Sequence, residues 1–405
     1  MKMKIGLSFL LVVLWGGAVC AENQEPTLPL FKAYPALKEK VAHKQLGIFP
    51  TPVVKAEKLG AALGLTSLYI KNDGVSGTKF GGNKVRKLEF LLADALEQKA
   101  KAVLTLGGAG SNHALATAVY AEQLGLESFS MLVPQLSASY VCRNLLLSLY
   151  YNAHLYHFPT KAAREVGIAQ LNEAFHKETG NNIYYIPKGG SNALGALGFV
   201  NAAFELKEQI DAGVLPEPDV IYVSFGSKGT TVGLMVGLKA AGLKTVVIPV
   251  CDEEEDVEEG VELISQVNQL LHTKLLRTKK QFGPNSFWPI TKKQEQTLQE
   301  ALRFNVNNNF IGQYYAQITP ETAAAIELVK QTEGITLDGT YSGKACAAML
   351  DDAKNGKLTG KVVVLWDTYC AGNFDEITSK LDYHQLPKEF HTYFELPLQE
   401  LDKGC

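Results

Sequence analysis

Lys84 stands where a lysine amine can be more than a solvated charge. It follows Phe80-Gly81-Gly82-Asn83, and beyond it Leu88, Leu91, Leu92, Ala95 and Leu96 recur on one helical face. Two glycines end a turn, Asn83 is placed to cap, and Lys84 falls in the first helical turn. A helix N-terminus carries partial positive charge, so Lys84, Arg86 and Lys87 crowd cations where cations are disfavoured. A lysine joined through its amine to an aldehyde cofactor, with a phosphate close by, would relieve that crowding. The competing reading is a solvated basic helix start, since exposed lysines are common.

Two further loops have the form of anion sites. Gly107-Gly108-Ala109-Gly110-Ser111-Asn112-His113 follows the apolar run 102–106 and leads into a helical stretch through Ala114, Ala118 and Leu124. Gly226-Ser227-Lys228-Gly229-Thr230-Thr231 follows the run 220–225 and leads into Val232, Leu234, Met235 and Leu238. A strand, a glycine turn, a hydroxyl-bearing cap and a helix aim free backbone amides at one spot. The second loop is not a P-loop, because its lysine lies inside the turn and no Gly-Lys-Ser/Thr ending follows. A Gly189-Gly190-Ser191-Asn192 run after residues 183–187 reads as architectural.

The elements that must carry these loops alternate in type. Residues 67–70, 102–106, 129–133, 183–187, 220–225, 244–250 and 361–366 read as short strands, separated by helical stretches. That alternation predicts parallel βα units. A chain of 405 residues, 46 % hydrophobic, suffices for two lobes. A net charge of −3 gives no reason to expect nucleic acid or an anionic membrane as partner. The acidic run 252–259 reads as a solvated helix start and supplies no metal-ligand geometry.

Met1-Lys2-Met3-Lys4, an apolar stretch to Trp15 and small residues up to Ala21 predict a secretory leader over 1–21, and hence an exported protein, periplasmic or secreted. No later stretch is apolar enough to span a bilayer, so no membrane association is expected once the leader is removed. The six cysteines show no metal-like spacing, and Cys346 and Cys370 read as buried, inert thiols.

The string Gly81–Phe90, preceded by Tyr69-Ile70-Lys71-Asn72-Asp73, resembles the cofactor-lysine segment of the D-cysteine desulfhydrase and 1-aminocyclopropane-1-carboxylate (ACC) deaminase family. Those enzymes use pyridoxal 5'-phosphate (PLP). The resemblance runs to about Gly372 and implies an α/β, two-domain PLP fold type II, each domain an open, mostly parallel sheet flanked by helices. The larger, cofactor-binding domain would take residues 22–86 and 205–405, and the smaller 87–204. By the same resemblance Lys84 carries the cofactor and Lys87 contacts its phosphate. Gly226, Ser227, Lys228, Gly229 and Thr230 form the phosphate loop, with Lys228 in place of a common glycine. Ser111, Asn112 and His113 take the substrate carboxylate, Ser111 counting also among the catalytic groups, and Asn112 also reaches the phenolic oxygen of the cofactor. Tyr315 and Tyr341 are the active-site tyrosines, and Thr368 partners the pyridine nitrogen. Asp367 and Thr368, being adjacent, are not expected to reach it together.

Several positions depart from the family pattern. Tyr314-Tyr315-Ala316-Gln317-Ile318 stands for Gly-Tyr-Gly-x-Pro, Gly339 for a proline, and Asp367-Thr368-Tyr369-Cys370 for His-Thr-Gly-Gly. Ser342 follows Tyr341 where ACC deaminases carry glutamate. The expected activity is α,β-elimination from a small amino acid such as D-cysteine, giving pyruvate, ammonia and sulfide. The alternatives are ACC deamination and a non-catalytic exported protein that binds PLP or amino acids. A homodimer is expected by resemblance.

Overall fold

A computed structural model describes residues 27–254, 256–276 and 290–402. The expected leader, Cys20, Cys405, Trp288 and Pro289 lie outside them. Among the described residues nine strands form two sheets. The larger contains β1 (Val53–Lys55), β2 (Leu68–Asn72), β7 (Val220–Phe225), β8 (Val246–Cys251) and β9 (Val363–Asp367) in the order β1-β2-β9-β7-β8. Only β1 runs antiparallel to its neighbour. The smaller contains β3 (Ala102–Gly108), β4 (Glu127–Val133), β5 (His154–His157) and β6 (Tyr184–Ile186), all parallel, in the order β5-β4-β3-β6. The apolar runs buried on both faces, such as β3 and β7, are what a helix-covered parallel sheet requires.

Leu68 pairs with Val363, and Val220 pairs with the same residue from the other side. The chain therefore leaves the large sheet after β2, builds the smaller one, and returns at β7. The helix Ala193–Asp211 crosses the expected boundary at 204/205. Its Ala196, Phe199, Val200 and Ala203 join the core formed by Ile221, Val223, Val232 and Trp366, so it covers the large sheet. The C-terminal tail does the opposite. Its Leu386, Phe390 and Tyr393 are buried against Leu132, Tyr140 and Val141 beside the small sheet.

Among the described residues no helix is long and apolar enough to cross a membrane, and no cluster of His, Cys, Asp or Glu is arranged to hold a metal. Cys142, Cys346 and Cys370 are free thiols, and Cys251, Cys346 and Cys370 are buried.

Candidate active site

The glycine loops and the lysine turn follow the carboxyl ends of strands, where open α/β sheets form their crevices. The end of β2 leads to Asn83 and Lys84, β3 to Ser111, β7 to Gly226, and β9 to Thr368. Lys84 begins the helix Lys84–Glu97. Its Nζ donates to Asn83 Oδ1 at 2.9 Å and lies 5.8 Å from the centre of the Tyr341 ring. Asn83 occupies the capping position, but its side chain makes no capping bond. Nδ2 donates instead to Thr230 Oγ1 at 2.9 Å, because the side chain bridges to the glycine–threonine loop. That bond puts Lys84 directly beside the cup. The Asn83 N–H donates to the Thr368 carbonyl at 3.2 Å, which brings Thr368 to the same place.

Burial lowers the Lys84 amine to about 8, against an opposing pull from Asp338 and Asp252. Lys87, one turn on, is fully buried, and its Nζ donates to the Gly189 carbonyl and to Ser191 Oγ, each at 3.0 Å. Both acceptors are neutral. Burial and the charge of Lys84 hold the Lys87 amine well below its usual range.

Lys87 faces the start of the helix Gly229–Ala240, whose first-turn amides and dipole also seek an anion. A Cβ on Gly229 would lie 2.7 Å from Ser191 Oγ and 3.0 Å from Lys87 Nζ, so that position must stay bare. Ser191 Oγ also accepts from the Gly229 N–H at 3.1 Å and bonds Ser227 Oγ at 2.9 Å. Ser191 is therefore part of the cup, where its sequence had suggested architecture alone. Lys228 differs from the expectation in another way. Its Nζ pairs with Glu259 Oε2 at 2.7 Å, so the charge is directed to the helix Val257–Leu276. The backbone of Lys228 takes φ +68, a left-handed value that explains why glycine suits this position.

The third loop closes the other side. Ser111 caps the helix Asn112–Gln123, its Oγ accepting from the Ala114 N–H at 3.1 Å. Asn112 Oδ1 accepts from Asn144 Nδ2 at 2.8 Å, which fixes its amide. His113 is buried, and neither ring nitrogen has a partner. Burial and the charges of Lys84 and Lys87 keep the ring neutral, its pKa well below the usual value. His113 thus lies inward, close to Gly190.

Tyr315 and Tyr341 meet hydroxyl to hydroxyl. Burial raises both phenols well above their ordinary range, with Tyr140 and Asp252 adding to it. Tyr314 points to solvent, which leaves Tyr315 as the tyrosine of that pair facing the site. The Tyr315 ring rests on the glycine loop, 3.2 Å from where a Gly108 Cβ would be. Residues beyond the sequence-based set border this group. Tyr140 bonds Thr340 Oγ1 at 2.9 Å and accepts from Gln135 Nε2 at 2.9 Å, while Asp338 accepts from the Tyr341 N–H at 2.8 Å. The fully buried Lys344 donates to the Asp252 carbonyl at 2.8 Å. Buried charges inside the Ser342–Lys354 helix start leave no periodic mark in a sequence, and only the Asp338-to-Lys344 string hinted at them. Asp367 turns to the Tyr369 N–H at 3.0 Å and is pushed up to about 8 by burial.

These residues fit a phosphate-bearing aldehyde: a low-pKa amine, a second, buried amine with neutral partners at a helix N-terminus, and an orphaned imidazole beside Gly190. Residues 44–368 match the pyridoxal-phosphate dependent enzymes as a family. The chain belongs to that family. The enzyme is 33 % identical over 305 residues to the D-cysteine desulfhydrase of Serratia proteamaculans, covering 74 % of this chain and 85 % of that one. It is 34 % identical over 320 residues to the D-cysteine desulfhydrase of Yersinia pestis, covering 78 % and 89 %. A crystal structure of an ACC deaminase homologue superposes with a TM-score of 0.68 at 29 % identity, over 86 % of this chain and 99 % of that one. A threonine deaminase at 18 % identity and TM-score 0.56, over 86 % of this chain and 99 % of that one, shares the fold. The enzyme therefore has the two-sheet α/β fold of type II and uses PLP, as the lysine segment implied. The altered segments hold Thr368 beside the lysine turn, through the Asn83 N–H, and bring Tyr315 to Tyr341, whose ring lies 5.8 Å from the Lys84 amine.

Proposed function

We propose that the enzyme is a lyase of the D-cysteine desulfhydrase type: a β-thiol amino acid and water give pyruvate, ammonia and hydrogen sulfide. The observation that carries this reading is a pair of protonated tyrosines joined hydroxyl to hydroxyl, with the low-pKa Lys84 amine 5.8 Å from the Tyr341 ring. Bound PLP supplies the electron sink at the substrate α-carbon. The rest falls to the chain. The cup formed by Lys87, Ser191, Ser227 and the Gly229 helix holds the phosphate. Ser111, Asn112 and the start of their helix receive the substrate carboxylate. Lys84 Nζ, with its pKa near 8, can take the α-proton near neutral pH. Tyr315 and Tyr341 stay protonated far into alkali, so either can give a proton to a departing thiolate.

Ser342 supports elimination over ACC ring opening. Its Oγ donates to Asp338 Oδ1 at 2.7 Å and accepts from the Asp338 N–H at 3.1 Å, so it serves the helix start. Release of pyruvate and sulfide from a panel of D- and L-amino acids and ACC tests the reading. D-Cysteine should be turned over best, and Lys84→Ala should lose both turnover and the visible absorbance of lysine-bound cofactor. Pyruvate-free ketobutyrate production from ACC alone would refute it. Export behind residues 1–21 and pairing as a homodimer belong to the same proposal. N-terminal sequencing of protein recovered outside the cytoplasm, and light scattering, check them.

A further inference from the structure

The loop that carries Tyr315 lies outside any helix or strand, and Ala316 within it takes φ +65, which residues with a side chain rarely adopt. Something must hold that turn. One side chain does so from the far end of the chain. Gln399 Oε1 accepts from the Ile318 N–H at 2.9 Å, and its Nε2 donates to the Ala316 carbonyl at 3.0 Å. The carboxamide thus pairs with the loop as a neighbouring strand would.

Gln399 is itself fixed. Its N–H donates to the Ser137 carbonyl at 3.2 Å. Three residues on, Asp402 accepts from the Ser139 N–H at 2.5 Å and from Ser139 Oγ at 3.1 Å, at the start of the helix Ser139–Tyr150. The next residue, Tyr140, reaches Thr340, the neighbour of Tyr341. One short stretch of tail therefore touches both pieces of chain that set the three tyrosines. It does so by polar contacts alone: Leu396 and Leu398 are exposed, while the apolar anchor lies earlier, at Leu386, Phe390 and Tyr393. These residues also lie past the span 44–368 that marks the family.

We propose that Gln399 is a positioning residue for Tyr315, and that residues 399–402 form a strap completing the substrate side of the site. The idea rests on the site assignment made above. Its test is Gln399→Ala beside the control Glu400→Ala, an exposed neighbour.

In cofactor-free protein, hydrogen exchange over residues 311–318 should quicken about fivefold or more in Gln399→Ala, with no change over the helix Lys84–Glu97. In the loaded enzyme the visible cofactor absorbance should be unchanged while kcat falls on the order of tenfold and KM moves little, the mark of a misplaced proton donor. Glu400→Ala should match the parent throughout. Unchanged exchange over 311–318 overturns the proposal. So does faster exchange with kcat within about twofold of the parent, or faster exchange everywhere, which would make Gln399 a general stability residue. A parent protein with no turnover would sink the proposed function instead, leaving the exchange measurement to decide this point.

Discussion

Replacing Lys84 with methionine should make the cofactor-free protein more stable. The amine has a pKa of about 8 in the folded state against 10.5 as its ordinary value. A depressed pKa means that the folded protein releases this proton more readily than the unfolded chain. The penalty of holding an ammonium there is fully present below pH 8, shrinks as the pH climbs toward 10.5, and is gone above it. At pH 7 the shift corresponds to roughly 2–3 kcal/mol, since solvent reaching Lys84 from the cleft trims the full value. Unfolding entropy for a chain this long is roughly 0.8 kcal/mol per K, so Lys84→Met should raise Tm by about 3–4 °C. At pH 9.5 less than half of the penalty remains, and the gain should fall to about 1–2 °C. Paired thermal scans of cofactor-free parent and variant at the two pH values make the comparison. A variant less stable at pH 7, or a gain equal at both, would refute the reasoning. With PLP present the order should reverse, because only the parent binds it covalently and binding to the folded state stabilises it.

Other expectations follow from the same site and its supports. Lys87→Met should weaken PLP binding roughly 10- to 50-fold by removing a charge-assisted contact to phosphate, as read by titrating cofactor-free protein. The rate of PLP loading should climb between pH 7 and about 8.5 and then level off, because the neutral amine of Lys84 is the reacting form; a climb continuing to pH 10 would place the amine at its ordinary pKa. Glu205→Ala should cost about 3–5 kcal/mol, because it strands Arg86 and Lys71 without their shared carboxylate. The carboxyl of Glu205 is lowered to about 2 despite burial, by Arg86 and Lys71. Its stabilisation is therefore complete above pH 4.5 and lost as pH falls from there toward 2, which acid titration of the fold by circular dichroism should show.

That last network marks where reading the sequence stops. The three turns that precede helices were legible, because a strand, a bare glycine turn and a periodic helix each leave a local mark. Val220–Phe225 forms the strand read for it, and Lys84, Ser111 and Gly229 stand at their helix starts. What could not be read depends on partners far apart in the chain. Arg86 donates to Asp73 and Glu205 at 2.7–3.0 Å, Trp366 Nε1 reaches Asp73 at 2.9 Å, and Lys71 Nζ reaches Glu205 at 2.5 Å. In sequence Lys71, Asp73, Arg86 and Glu205 are ordinary charged residues and Trp366 an ordinary strand aromatic. In the fold they make a charge-balanced, buried knot two residues from Lys84, and they hold the turn that aims it. The direction taken by Lys228 was equally hidden, because it depends on Glu259 one helix away.

The placement of β9 between β2 and β7 has a bearing on synthesis. Leu68 and Val220 both dock on Val363, so the two halves of the larger sheet, one leading to the lysine turn and the other to the phosphate cup, stay unjoined until that late strand has been made. A nascent or truncated product ending before residue 363 would leave those two halves unpaired and would lack Thr368 beside Asn83, so seating of the vitamin should wait for translation of this strand.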